Sequence, residues 1–81
     1  MSIKLLKNIE INEYNYDYNG MVSNKTNLPH GYGRAIGTDK VNFVDGHFKD
    51  GVPHGYCKVF FKDGFCDNNE FADGTLVRDW Q

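Results

Sequence analysis

Apolar and polar residues alternate along this chain in short runs. Tyr14, Tyr16 and Tyr18 fall in one phase, and Asn15, Asp17 and Asn19 in the other, the period-two pattern of a strand with two unlike faces. Ile9 and Ile11 also alternate, but out of phase with the tyrosines, which predicts a bulge or turn near Asn12-Glu13. Cys57-Lys58-Val59-Phe60-Phe61 reads as a strand ending at Lys62-Asp63-Gly64, with residues 65–68 returning so that Phe60 or Phe61 faces Cys66. Glycine interrupts the chain too often for long helices. Asn19-Gly20, Asp45-Gly46, Asp50-Gly51, Asp63-Gly64 and Asp73-Gly74 each read as a hairpin turn, because Gly accepts the positive φ such turns require. The expected fold is all-β, an antiparallel β-hairpin meander of about six to eight strands, each about 4–6 residues long.

A segment of the chain occurs twice. Asn27-Leu28-Pro29-His30-Gly31-Tyr32-Gly33-Arg34 returns 24 residues later as Gly51-Val52-Pro53-His54-Gly55-Tyr56-Cys57-Lys58. Gly46-His47-Phe48-Lys49-Asp50-Gly51 returns as Asn69-Glu70-Phe71-Ala72-Asp73-Gly74. Asn replaces Gly at residues 27 and 69, and Asn is the side chain that best tolerates the left-handed region. Tyr18-Asn19-Gly20 takes the place of Val44-Asp45-Gly46, so the first copy carries extra residues within 22–27. A fixed period of this size points to stacked repeats, whose product is a surface rather than one reactive residue.

Composition narrows the function. A net charge of −2 with scattered Lys and Arg argues against a nucleic-acid footprint. No stretch reaches the roughly 20 apolar residues of a spanning helix. The stretch from Met1 to Lys7 is too short and interrupted for a signal peptide, and leaves a short organellar address open. Cys57 and Cys66 lie too far apart along a hairpin to pair, so both are expected as free thiols in a reducing, intracellular setting.

The residues quoted above resemble the membrane occupation and recognition nexus (MORN) repeat, whose pattern runs Tyr-x-Gly, an Asp- or Asn-Gly turn, His-Gly-x-Gly and a second Asp-Gly turn. Tyr18, Gly20, His30, Gly31 and Gly33 match in the first copy, and Gly46, Gly51, His54, Gly55 and Gly64 in the second. Phe71, Asp73 and Gly74 begin a third. Val44 departs from the leading Tyr, Cys57 from the last Gly, and Lys40 stands where the second copy has Gly64. The resemblance implies β-hairpins stacked into a single elongated, twisted, grooved sheet, spanning residues 14–75 between an N-terminal extension or cap (1–13) and a C-terminal tail (76–81). It also implies a non-enzymatic scaffold, a small accessory subunit of a larger cytoskeletal, ciliary or membrane-associated assembly. The alternative is a peripheral phospholipid-binding module. Lys49, Lys58 and Lys62 are offset by Asp50, Asp63 and Asp67, which gives an anionic surface little to hold.

No residue set reads as catalytic. His30 and His54 sit in the repeat's own Pro-His-Gly signature, which favours a turn or packing role over a metal or acid–base one. His47, Cys57 and Cys66 lack metal-ligand spacing, and no cofactor motif is present. The aromatic residues remain. A single-layer sheet cannot cover both of its faces, so one aromatic face should stay open to a protein partner. Tyr32, Phe48, Tyr56 and Phe71 are the candidates for that face, with Trp80 as a cap or an anchor, and the sheet edges offer a route to self-association.

Overall fold

The computed structural model describes residues 2–11, 14–38, 43–61, 64 and 66–80, with side chains as far as Arg78. Seven strands form one sheet in sequential order: β1 (Ser2–Ile11), β2 (Tyr14–Val22), β3 (Pro29–Gly37), β4 (Phe43–Lys49), β5 (Val52–Phe60), β6 (Cys66–Ala72) and β7 (Thr75–Trp80). Every neighbouring pair is antiparallel, so the chain is a hairpin meander. The principal extents are 34 × 25 × 20 Å, far thicker than a flat layer, so the sheet is strongly twisted. Among the described residues, no helix is long and apolar enough to cross a membrane.

The strands run to 6–10 residues, longer than the pattern suggested. The cause is that Asn19-Gly20 and Asp45-Gly46 are not turns. Both lie inside strands, where Gly20 pairs with Gly33, Gly33 with Gly46, and Gly46 with Cys57. A methyl on Gly33 would run into the Tyr18 ring and hydroxyl, and one on Gly46 into the backbone of β5. These glycines are required for the absence of a side chain, not for their φ. The Gly46/Asn69 exchange is corrected with them, since neither residue has a positive φ. Asn27 does, at 62°, in the place where Gly51 has 93°.

The true turns are Asp50-Gly51 (φ 51° and 93°) and Asp73-Gly74 (51° and 88°). Lys49 pairs with Val52 across the first, and Ala72 with Thr75 across the second. Both central residues have positive φ, as a two-residue turn matched to strand twist demands. Asp63 and the Asn12-Glu13 connection lie outside the described residues, as does Lys40. Gly64 (φ 85°) donates to the Phe61 carbonyl at 3.0 Å.

The Pro-His-Gly-Tyr segments share one distortion. Between Gly20↔Gly33 and Val22↔Pro29 the register advances two residues on β2 and four on β3. Between Gly46↔Cys57 and Phe48↔Pro53 it does the same on β4 and β5. Gly31 (φ 101°) and Gly55 (φ 93°) take the left-handed position in these bulges. The two copies therefore repeat in backbone geometry as well as in sequence.

The core occupies one face. Ile11, Tyr18, Val22, Ala35 and Phe48 are buried there, and Leu6, Ile9, Tyr16, Val44 and Val52 pack around them. Tyr18 lies across the glycine column, packs edge-on to Phe48 at 5.1 Å and donates to the Met21 carbonyl at 2.7 Å. The sheet also extends past residues 14–75 at both ends. Residues 2–11 form β1, and β7 pairs with β6 as far as Asn68↔Trp80. Cys57 is a buried free thiol on the core face, and Cys66 is an exposed one opposite Phe60.

Candidate functional site: a transverse groove

Antiparallel partners share a face, so the register sorts the aromatic residues without ambiguity. Phe48 pairs with Gly31 and Phe71 with Gly55, on the core face. Tyr32 pairs with His47 and Tyr56 with Glu70, on the other face. The expected set Tyr32, Phe48, Tyr56 and Phe71 is thus divided. Phe48, at 3% exposure, belongs to the core, whereas Tyr32 and Tyr56 are 55% and 63% exposed. Phe71 is half-buried beside Phe48 and Pro53. The backbone of Trp80 is placed, but its side chain lies outside the described part.

Two rows of side chains cross the strands on the tyrosine face. One contains Met21, Tyr32, His47 and Tyr56, and the other Asn19, Arg34, Asp45, Lys58 and Asn68. Between them runs the column Gly20, Gly33, Gly46, Cys57, Asn69, whose side chains, where present, point to the core face. The result is a trough with an aromatic wall, a polar wall and a floor of backbone. Its two halves measure about 410 and 460 Å³ and meet at Tyr32 and Asp45, which line both.

The polar wall is held by a short network. Arg34 Nη2 donates to Asp45 Oδ2 at 2.8 Å, with the guanidinium 5.3 Å from the Phe43 ring centre. Burial works to raise the Asp45 pKa, but hydrogen bonds from Tyr32 and Arg34, with the charges of Arg34 and Lys58, outweigh it and hold the carboxyl below its ordinary value. The Tyr32 phenol is raised, first by that hydrogen bond and then by the Asp45 charge. Tyr32 also packs edge-on to His47 at 5.9 Å. One tyrosine of the aromatic wall thus rests against its row neighbour His47.

The remaining signature residues lie away from the trough and organise turns. His30 Nδ1 accepts the backbone N–H of Asp50, and His54 Nδ1 that of Asp73. The carbonyls of Pro29 and Pro53 accept from Gly51 and Gly74 at 2.9 and 2.8 Å. Gly51 and Gly74 complete those turns, while Gly20, Gly33 and Gly46 form the floor. Among the described residues no group of three or more His, Cys, Asp or Glu is placed to hold a metal ion.

The polar wall escaped the sequence reading, although a signal for it exists. Arg34 and Lys58 stand two residues beyond Tyr32 and Tyr56 in the two copies, the spacing of side chains on one strand face. Asn19, Asp45 and Asn68 hold equivalent places on the intervening strands. A short polar group thus alternates with a long cation across the sheet.

Fold and site together define an open, single-sheet β repeat with a groove across its strands. Compared with known proteins, the chain matches no family model, no curated protein and no solved structure.

Proposed function

We propose that the chain is a MORN-type repeat protein, a non-enzymatic scaffold that docks a partner protein in the transverse groove. In this reading it is a small accessory or structural subunit of a larger intracellular assembly, cytoskeletal, ciliary or membrane-associated. The observation that carries the docking role is the pair Tyr32 and Tyr56, equivalent residues of two repeats that stay more than half exposed along one wall. Exposed tyrosines on a rigid sheet give contact area at little entropic cost, which suits them as anchors. The repeat assignment draws support from the matched bulges and the matched His–turn bonds of the two copies.

The test is affinity purification of the tagged chain from its native cell, in parallel with a Tyr32→Ala/Tyr56→Ala variant. Stoichiometric recovery of the wild type in a complex, lost in the variant, is expected. Recovery of the wild type as a free monomer that co-sediments with anionic vesicles would replace this reading with the phospholipid module.

A further inference from the structure

We infer that the groove takes an acidic, proline-containing segment of its partner in the polyproline II conformation, and not a helix. The inference rests on the docking role proposed above and concerns the occupant. Width speaks first. The walls are built from residues two apart on each strand, so their Cα rows lie roughly 6.5 Å from one another. An α-helix with its side chains is about 10–12 Å across and would ride on the rims. A single extended chain reaches the floor, which is backbone because the side chains of the column between the walls point to the core face.

Spacing then selects among extended forms. Tyr32 and Tyr56 lie two strands apart, and so do Arg34 and Lys58. Two strand spacings come to about 9.5 Å. A polyproline II helix advances about 9.3 Å in one three-residue turn. A β-strand offers same-side residues every 6.6 Å or so and falls out of step. With three residues per turn, one edge of the segment meets the tyrosines, the next meets Arg34 and Lys58, and the third faces water. From β2 to β6 the trough crosses about 19 Å, room for two such turns.

Charge selects the second edge. The protein as a whole carries −2. The charged residues lining the two halves of the trough are Arg34, Lys58 and Asp45, a local balance of +1. Where the tyrosine row continues onto β6 and β7, Glu70 pairs in register with Arg78, which leaves that balance unchanged. The Asp45 side chain is only 16% exposed, while that of Arg34 is 53% exposed. A visiting chain therefore meets cations first, and a carboxylate once per turn answers both.

The experiment selects displayed random peptides of about twelve residues, about twice the span of the trough, on the wild-type protein. The winners are then measured on Lys58→Gln and on Tyr32→Ala/Tyr56→Ala. Winners rich in proline, with Asp or Glu at a three-residue period and binding weakened roughly three- to tenfold by Lys58→Gln, are expected. Basic or neutral winners, or acidic ones at a two-residue period without proline, overturn the inference but leave the docking role standing if the double tyrosine variant loses them. Winners indifferent to the tyrosines, or no winners at all, overturn both.

Discussion

His54 closes a turn that is not its own. Its Nδ1 accepts the backbone N–H of Asp73, nineteen residues on, at 3.0 Å. An imidazole that accepts at Nδ1 carries its proton on Nε2, so the bond fixes the tautomer. The Asp73 carboxylate stands 3.5 Å from the same nitrogen. The histidine of each Pro-His-Gly segment thus acts as a fastener for the following hairpin.

His54→Ala should release the Asp73 amide and cost about 0.5–1 kcal/mol, the usual worth of one partly exposed hydrogen bond. Hydrogen exchange is the readout. The Asp73 amide should exchange faster while the Asp50 amide keeps its protection, and His30→Ala should reverse the two. Uniform loss across the sheet in either variant would contradict a local fastener.

Gly33→Ala should destabilise the sheet by about 1–3 kcal/mol through overpacking against Tyr18. Pairing it with Tyr18→Leu should recover part of that loss, because the added methyl then meets a shorter side chain. A double-mutant cycle from urea denaturation would show the coupling. Strict additivity would mean that the glycine serves some purpose other than making room for Tyr18.

Burial pushes the Tyr18 hydroxyl up to about 12. The neutral phenol is therefore favoured by folding, and its contribution is complete below the ordinary value of 10 and lost as pH rises toward about 12. Urea midpoints should fall on the alkaline side, and Tyr18→Phe should flatten most of that slope. Tyr32 shifts in the same direction but stays exposed, so Tyr32→Phe should change the slope less. The reverse ranking would refute the burial argument.

Asp45 has the opposite sign. Its carboxyl is held below the ordinary 3.8, so its stabilising share is present above that value and disappears as pH falls through its lower folded value. Asp45→Asn should remove this acid limb from the stability profile and loosen Arg34, seen as averaging of its side-chain NMR signals. An unchanged acid limb would mean that other carboxylates govern it.

Much of this architecture was legible in the residues. Alternation and turn chemistry gave the all-β meander, and Asp50-Gly51 and Asp73-Gly74 are turns as read. Asn19-Gly20 and Asp45-Gly46 misled because glycine answers two needs, a positive φ and the lack of a Cβ, and one dipeptide does not say which. Tyr32 and Phe48 come from neighbouring repeat positions and read alike as candidates for one open aromatic face, yet Phe48 follows the phase of Gly46 while Tyr32 is one residue out of phase with Gly33. Only the register reveals that. It also supplies Asp45 as the partner of Arg34, since the two stand eleven positions apart in the chain.

The fasteners also run in one direction. Each acceptor, His30 or His54, precedes its donor, Asp50 or Asp73, so the nascent chain emerging from the ribosome meets its supports in order. By the time a hairpin tip leaves the exit tunnel, the imidazole that will receive it has already been synthesised. Growth of the sheet then resembles a zip fastener closed from its N-terminal end, in which no tooth waits for one not yet made.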